Sequence, residues 1–396
     1  AMTQFARKYK VECGVCHTAI PRLTQTGFEF RAAGFRMPNE IGKTEVLDYS
    51  NAFGNYDAVR LQARYDLSRT DNAGTVTTRN QLTFVEVTLY PVTGSFLKNY
   101  SSLFEISLAP GESPEIENAY VRGNWLAGPG FVSARLGVFH PFEGFGASDR
   151  PITIGRTLFQ TTAARFNQNT FFTPWGFDEM GLEVGYTYKN SNFRATLFNG
   201  LSFSEEEGIV TPATSLSGSD SKTPGRPSYN NKDYQLFFNQ VLTENGGGLS
   251  AYYYSGRLDL PVSDAEGEFF KNKFDRYAFY GGYPIGPVLL LGGYEAGKDD
   301  TFTSAEGYGP RSRNDGWFGE LDWYGPDLIG VAGRYDQFNP SNKKERDKID
   351  RVTVAVNKAF GNGLQGIAEY QHQKTQLPNQ VDRKVDAFQI RFIWIW

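Results

Sequence analysis

The chain has 396 residues, with 44 Asp and Glu against 40 Lys and Arg, a formal net charge of -4, 15% aromatic residues and a mean hydropathy of -0.45. There is no basic patch of the kind nucleic acid requires, and no apolar run long enough for a membrane-spanning helix. Neither exclusion touches membrane β-barrels, whose lipid-facing and lumen-facing residues alternate and cancel in any hydropathy window.

Residues 1–50 stand apart from the rest. The two cysteines of the protein, Cys13 and Cys16, lie in VECGVCHTAIPRL (11–23), with His17 directly after the second. Cys-x-x-Cys-His is the attachment signature of c-type haem. The thiols add across the haem vinyl groups, and the histidine ligates iron from the same turn. A redox Cys-x-x-Cys pair belongs to a thioredoxin-like βαβ unit, which is not evident here. A zinc site needs two more ligands, and His140 and His372 are far away in sequence. A disulfide suits an oxidising compartment but leaves His17 without a role. One haem c is therefore expected, on Cys13 and Cys16, with His17 as proximal iron ligand.

Two residues are candidates for the other face of the iron. Met37 lies in GFRMPNE, twenty residues after His17. His140, the alternative, opens the segment FHPFEG. Met37 reads equally as a packing residue, His140 opens a long loop able to turn inward, and Met2 sits too close to a fraying terminus to compete. The flanking sequence predicts a short helix, the haem turn and a second helix, with Leu23, Phe28, Phe30 and Phe35 forming an apolar surface for the haem. So small a head lacks an independent core, so it should lean on the haem and on the domain C-terminal to it. Covalent haem implies export, and the opening AMTQ fits a removed signal peptide.

From residue 55 the hydrophobic period changes to two. In AVRLQARYDLS (58–68), Val59, Leu61, Ala63, Tyr65 and Leu67 alternate with Arg60, Gln62, Arg64 and Asp66. Sixteen such segments predict an all-β fold, a transmembrane antiparallel barrel over 51–396 with the haem head of 1–50 plugging its lumen. Arg60, Arg64, Arg135 and Arg194 are candidates to face the lumen and neutralise haem propionates, although lumen arginines are ordinary in porins. Gly, Pro and Asn turns such as LAGPG, KNSN and FGNG follow every second strand. Long polar loops are expected at 69–80, 202–230, 261–273, 298–314, 339–348 and 374–383. An N-terminus in the periplasm makes the first connection, SRTDNAGTVTTR (68–79), a long external one. Residues 139–177, between the fifth and sixth strands, are expected to fold inward against the head. The last strand, VDAFQIRFIWIW (385–396), ends in interfacial tryptophans.

A Cys13–Cys16–His17 motif near the N-terminus, the following PRLTQTGFEFRAAGFRMP and a barrel with an aromatic end together resemble the fused monohaem cytochrome–porin family of bacterial outer membranes, which includes outer-membrane iron oxidases. The resemblance covers nearly the whole chain; its haem motif is specific and its barrel patterning generic. It implies electron passage through one haem between an extracellular donor, ferrous iron among the options, and a periplasmic c-type cytochrome or other carrier. Acidic runs at Glu205, Glu206 and Glu207 and at Asp299 and Asp300 are candidates to attract a cation, or simply solvated loop faces. A diffusion porin gated by the head, and a barrel scaffold for separate multihaem cytochromes, are the competing functions. The sequence sets no limit on association between barrels.

Overall fold

The computed structural model describes residues 2–43, 54–141, 143, 151–161, 164–166, 169–171, 174–204, 209–212, 232–262, 268–341, 348–376 and 381–396. Sixteen antiparallel strands close into a barrel. The first eight are β1 (Ala58–Asn72), β2 (Thr75–Tyr90), β3 (Tyr100–Leu108), β4 (Glu115–Ala127), β5 (Gly130–Phe139), β6 (Glu179–Tyr188), β7 (Ser191–Phe198) and β8 (Asp233–Val241). The others are β9 (Gly248–Pro261), β10 (Phe269–Ile285), β11 (Val288–Thr303), β12 (Gly307–Tyr324), β13 (Ile329–Asn339), β14 (Ile349–Gly361), β15 (Leu364–Thr375) and β16 (Arg383–Ile395). Each pairs with its neighbours in sequence, and β16 closes on β1 from Arg383↔Asn72 to Ile395↔Arg60. A two-residue piece, Gly94–Ser95, extends the β2–β3 edge.

The alternation is inverted relative to a soluble protein. On β14, Val352, Val354 and Val356 are exposed while Arg351, Thr353 and Asn357 are buried. On β8, Tyr234, Leu236 and Phe238 face out while Asp233, Gln235 and Asn239 face in. An apolar outside and a polar inside suit hydrocarbon around the wall, and closure leaves no strand edge unpaired in lipid. Aromatic residues mark the two borders of the band. Trp125, Trp323, Trp394 and Trp396 are exposed at the short-turn end, and Tyr294, Trp317, Tyr335 and Tyr370 higher up. Trp317 and Trp323 are separated along one strand by roughly 20 Å at about 3.4 Å per residue, close to the apolar band of about 25 Å of such barrels.

Two connections differ from expectation. The first is no long loop. β1 and β2 continue pairing to Asn72↔Thr75, and Ala73 and Gly74 turn the chain with φ of 54 and 88. Two successive positive φ values make the tight hairpin turn that matches strand twist. Likewise 298–314 is mostly strand, since β11 and β12 pair to Thr303↔Gly307. The first hairpin is rich in Thr and polar on both faces, and the second sets Phe302 and Tyr308, which pack on Phe270, among charged residues, so neither carries a sustained period-two signal despite its strand propensity. The middle portions of the other four expected loops lie outside the described residues.

The N-terminal residues occupy the short-turn end of the bore. Helix α1 (Thr3–Tyr9) precedes the Cys-x-x-Cys-His turn, and α2 (Gln25–Ala32) comes after it. The Thr24 hydroxyl caps α2 by accepting from the Gly27 amide at 3.2 Å, one of the donors every helix start leaves unpaired. Contacts run round the wall. The Gln25 amide donates to the Glu244 carbonyl at 2.9 Å, and its side chain to Asn190 at 2.9 Å. Arg36 donates to the Leu97, Lys98 and Tyr100 carbonyls. Asn124 donates to the Ala32 carbonyl, and Asn357 and Gln365 both donate to that of Ile20. The Arg7 guanidinium stacks over Trp396 at 4.9 Å.

Candidate functional site

The turn bearing the motif is local chemistry. Cys13–Val15 form one 3-10 turn, closed by the Cys16 amide on the Cys13 carbonyl at 3.2 Å. His17–Ala19 then pairs with Arg22–Leu23 as a small ribbon. Thr24 ties the turn to α2, its amide donating to the Cys16 carbonyl at 3.0 Å and its hydroxyl to that of Val15 at 2.9 Å. Gly27 lets the helix lie against this turn, because a Cβ there would fall inside contact distance of the Cys16 carbonyl oxygen.

Both thiols are free. The His17 Nδ1 lies 3.3 Å from the Pro21 and Arg22 carbonyls, so that nitrogen carries the hydrogen. Nε2 makes no hydrogen bond among the described residues. A backbone carbonyl on one ring nitrogen fixes the tautomer and leaves the other as a free lone pair, as in metal-ligating histidines. Burial lowers the His17 pKa to about 3, which keeps the ring neutral. Burial first, and then Cys13, pushes the Cys16 thiol up.

Cys13, Cys16, His17, Met37 and His140 all line one cavity of about 1830 Å³ in the bore. That exceeds the roughly 300–1,000 Å³ usual for small-molecule and cofactor sites. Phe5, Phe30 and Phe35 add an apolar wall, with Phe5 stacked on Phe35 at 5.0 Å and edge-on to Phe30 at 5.3 Å. Two thiols, a histidine with a free Nε2, a sulfur and an imidazole as further donors, and an aromatic wall form a donor set that fits a covalently held haem. The expected apolar surface is divided, however. Leu23, Phe30 and Phe35 line the cavity, whereas Phe28 turns to the barrel wall and packs with Phe131 and Val241. Helix geometry enforces this, since residues two apart do not share a face.

The four arginines expected in the lumen are inward and already paired. Arg60 meets Glu86 at 2.9 Å and Glu105 at 3.2 Å, and Arg64 meets Asp66 at 2.7 Å. Arg135 bridges Glu143 at 3.1 Å and Glu183 at 2.8 Å, and Arg194 meets Glu143 at 2.8 Å. Glu143 belongs to the connection between β5 and β6. Burial would raise its carboxyl, but Arg194 and Arg135 outweigh burial and hold it well below the usual carboxylate range. Further along that connection the Ile154 and Gly155 amides donate to Glu369, and Arg334 donates to Thr153 and to the Gly155 carbonyl at 2.8 Å. Trp175 packs on Tyr252 and Tyr254. Glu143, the stretch 151–160 and Trp175 of this connection thus lie within the bore. They meet the head where Ile152 packs on Ala19 and where Asn357 joins the Ile20 and Ile152 carbonyls.

Other candidates are not assembled as cation sites. Asp299 pairs with Arg276 at 3.0 Å and Asp300 with Arg311 at 2.9 Å, both within β11. Glu205, Glu206 and Glu207 lie outside the described residues. Sequence reasoning missed Arg22, which anchors the Cys-x-x-Cys-His turn to the wall by Glu320 at 2.7 Å and Asp322 at 3.2 Å. Its partners lie 298 and 300 residues away, so no local signal could have found them.

A closed sixteen-strand wall, apolar outside and polar inside, with an inward-folded connection after its fifth strand, defines the porin type of membrane β-barrel. Solved structures agree. The chain is similar to OmpT, an outer membrane protein of Vibrio cholerae in its trimer form (TM-score 0.54, 13% identity, 86% of this chain and 99% of that one). It is also similar to the outer membrane channel DcaP of Acinetobacter baumannii (0.53, 12%, 86% and 96%), and to an anion-selective porin from Comamonas acidovorans (0.51, 11%, 85% and 99%). Such identities speak for the fold alone. No family model and no curated protein matches the chain.

Proposed function

We propose that this chain is an outer-membrane electron conduit, a porin-type barrel that carries one haem c on Cys13 and Cys16 with His17 as iron ligand. The observation that carries this reading is the orientation of His17. Its Nδ1 is committed to two backbone carbonyls, and its ring lines the bore cavity beside both free thiols. When bound, haem supplies a reversible one-electron couple. The chain's own residues do the remaining work. The ribbon and Thr24 fix the motif, and Arg22 ties it to the wall. Phe5, Phe30 and Phe35 exclude water on one side, and Met37 and His140 stand on the same cavity as candidate distal ligands. The lipid-facing wall insulates the bore. The head at the short-turn mouth faces a periplasmic carrier, and the far mouth faces an extracellular donor, for which ferrous iron is the first to try. This reading places the chain beside the fused cytochrome–porins.

The test is haem staining of the denatured protein, followed by electron transfer in proteoliposomes with ferrous iron outside and oxidised cytochrome c enclosed. Covalent haem lost in Cys13→Ala/Cys16→Ala, with reduction of the enclosed cytochrome by the intact protein only, is expected. A protein expressed with cytochrome c maturation that carries no covalent haem would overturn it. A diffusion porin is the second reading, favoured by the size of the bore cavity. Large steady conductance in planar bilayers would select it.

A further inference from the structure

The expected haem-propionate partners Arg60, Arg64, Arg135 and Arg194 are occupied by carboxylates. Arg31 is different. Its side chain lines the same cavity, and among the described residues no ion pair or hydrogen bond engages its guanidinium. It stands on α2 four residues after Gly27, the residue that touches the Cys16 carbonyl. Residues four apart share a helix face about 5.4 Å apart along the axis. Arg31 therefore projects from the helix face that carries the haem turn.

The surrounding charge is unbalanced in the same sense. Glu143 feels Arg31 but is bonded by Arg135 and Arg194. Glu183 is bonded by Arg135 at 2.8 Å and approached by Arg194 at 3.6 Å and Arg122 at 3.7 Å. Arg122 in turn donates to the Arg31 carbonyl at 3.0 Å. Four guanidiniums thus face two carboxylates, an excess of two positive charges among the described residues. The Nε atoms of Arg122, Arg135 and Arg194 are buried without a hydrogen-bond partner among those residues. Unpaired charge in a buried setting is costly and calls for a counter-ion. Two ionised carboxylates on one ligand would supply it, and guanidinium suits them geometrically.

We infer that Arg31 is the positioning residue for the propionates of the haem proposed above, its guanidinium, unbonded among the described residues, being the group that would pair with a propionate carboxylate. The inference rests on that haem being present. Pairing withdraws negative charge from the neighbourhood of the iron, so removing Arg31 should favour the oxidised state.

The experiment is redox titration of the membrane-extracted holoprotein as wild type, Arg31→Met and Arg31→Lys, with haem staining and heat-modifiable gel migration to confirm attachment and barrel closure. Arg31→Met should keep covalent haem and a closed barrel but titrate at a lower potential, and Arg31→Lys should restore most of the shift. Wild-type potential in Arg31→Met overturns the inference and leaves the proposed function standing. Absence of haem from the wild type overturns both. A wild-type potential that moves on adding acetate assigns Arg31 to a diffusible anion instead and also overturns it.

Discussion

At the scale of single residues, Gly27 shows how one missing atom sets the geometry of the motif. Ala is preferred over Gly inside a helix by about 1 kcal/mol. At this position the added methyl meets the Cys16 carbonyl oxygen and the Leu23 side chain. The first is backbone held by the Thr24 amide and cannot swing aside. Overpacking of this kind costs about 1–3 kcal/mol, so the clash outweighs propensity. Gly27→Ala should lower thermal stability of the head and the yield of covalent haem, measured by Soret absorbance per barrel. A second residue-scale question, under the proposed function, is which side chain would meet the other face of a haem iron. Met37 and His140 both line the cavity, and sulfur and imidazole give different spectra. Met37→Ala should abolish a thioether-to-iron charge-transfer band if sulfur is the ligand; an unchanged spectrum and potential would rule Met37 out. The motif itself was legible because all its information lies within five residues. Arg31 was not, because its significance depends on which other guanidiniums are already paired, and that is settled by strands far away in sequence.

At the scale of elements, the sixteen strands were legible wherever hydrocarbon outside and water inside impose alternation. The lengths of the hairpins were not. Beyond the bilayer both faces of β1 and β2 are wetted, alternation disappears, and SRTDN and TVTTR read as loop although Thr and Val keep strand propensity. The loop entering the bore was suggested by its length and aromatic content, but its distant anchors were invisible, since Glu369 and Arg334 lie 215 and 181 residues further along the chain. The Glu143 anchor makes a pH prediction. The Glu143 pKa is depressed in the folded state, so its contribution is present above the ordinary carboxylate value and is lost as pH falls through the lower folded value. Hydrogen exchange at the Glu143 amide, which donates to the Tyr252 hydroxyl, taken relative to its intrinsic rate at each pH, should therefore stay slow through neutral and mildly acidic pH and rise only in strong acid. Glu143→Gln should raise it already at neutral pH, because Arg135 and Arg194 lose a buried partner, a loss of about 3–5 kcal/mol. Unchanged exchange in that variant would show that Glu369 and Arg334 hold the loop alone.

At the scale of the whole molecule, the fold makes a bore and places two inserts within it. The wall alone would pass solutes, as a polar lumen in an apolar cylinder does. Two inserts oppose this, the head at the short-turn mouth and the connection between β5 and β6 further along. They touch through Ile152, Ala19 and the Asn357 side chain. The head is held mainly by backbone carbonyls and by one buried ionic anchor, Arg22 with Glu320 and Asp322. Arg22→Met removes the cation and leaves Asp322 without its charge partner, beside a Glu320 that keeps Arg334 at 3.0 Å, a change of about 3–5 kcal/mol by analogy with other broken buried pairs. The barrel does not depend on that anchor, because its strands pair around the full circumference. The variant should therefore still migrate as a folded, heat-modifiable barrel, yet show frequent open-channel events in planar bilayers where the wild type shows few. Adding Asp322→Asn removes the uncompensated charge without restoring the anchor and leaves the Glu320–Arg334 pair intact. Its conductance should fall back only partway, which separates loss of attachment from electrostatic expulsion of the head.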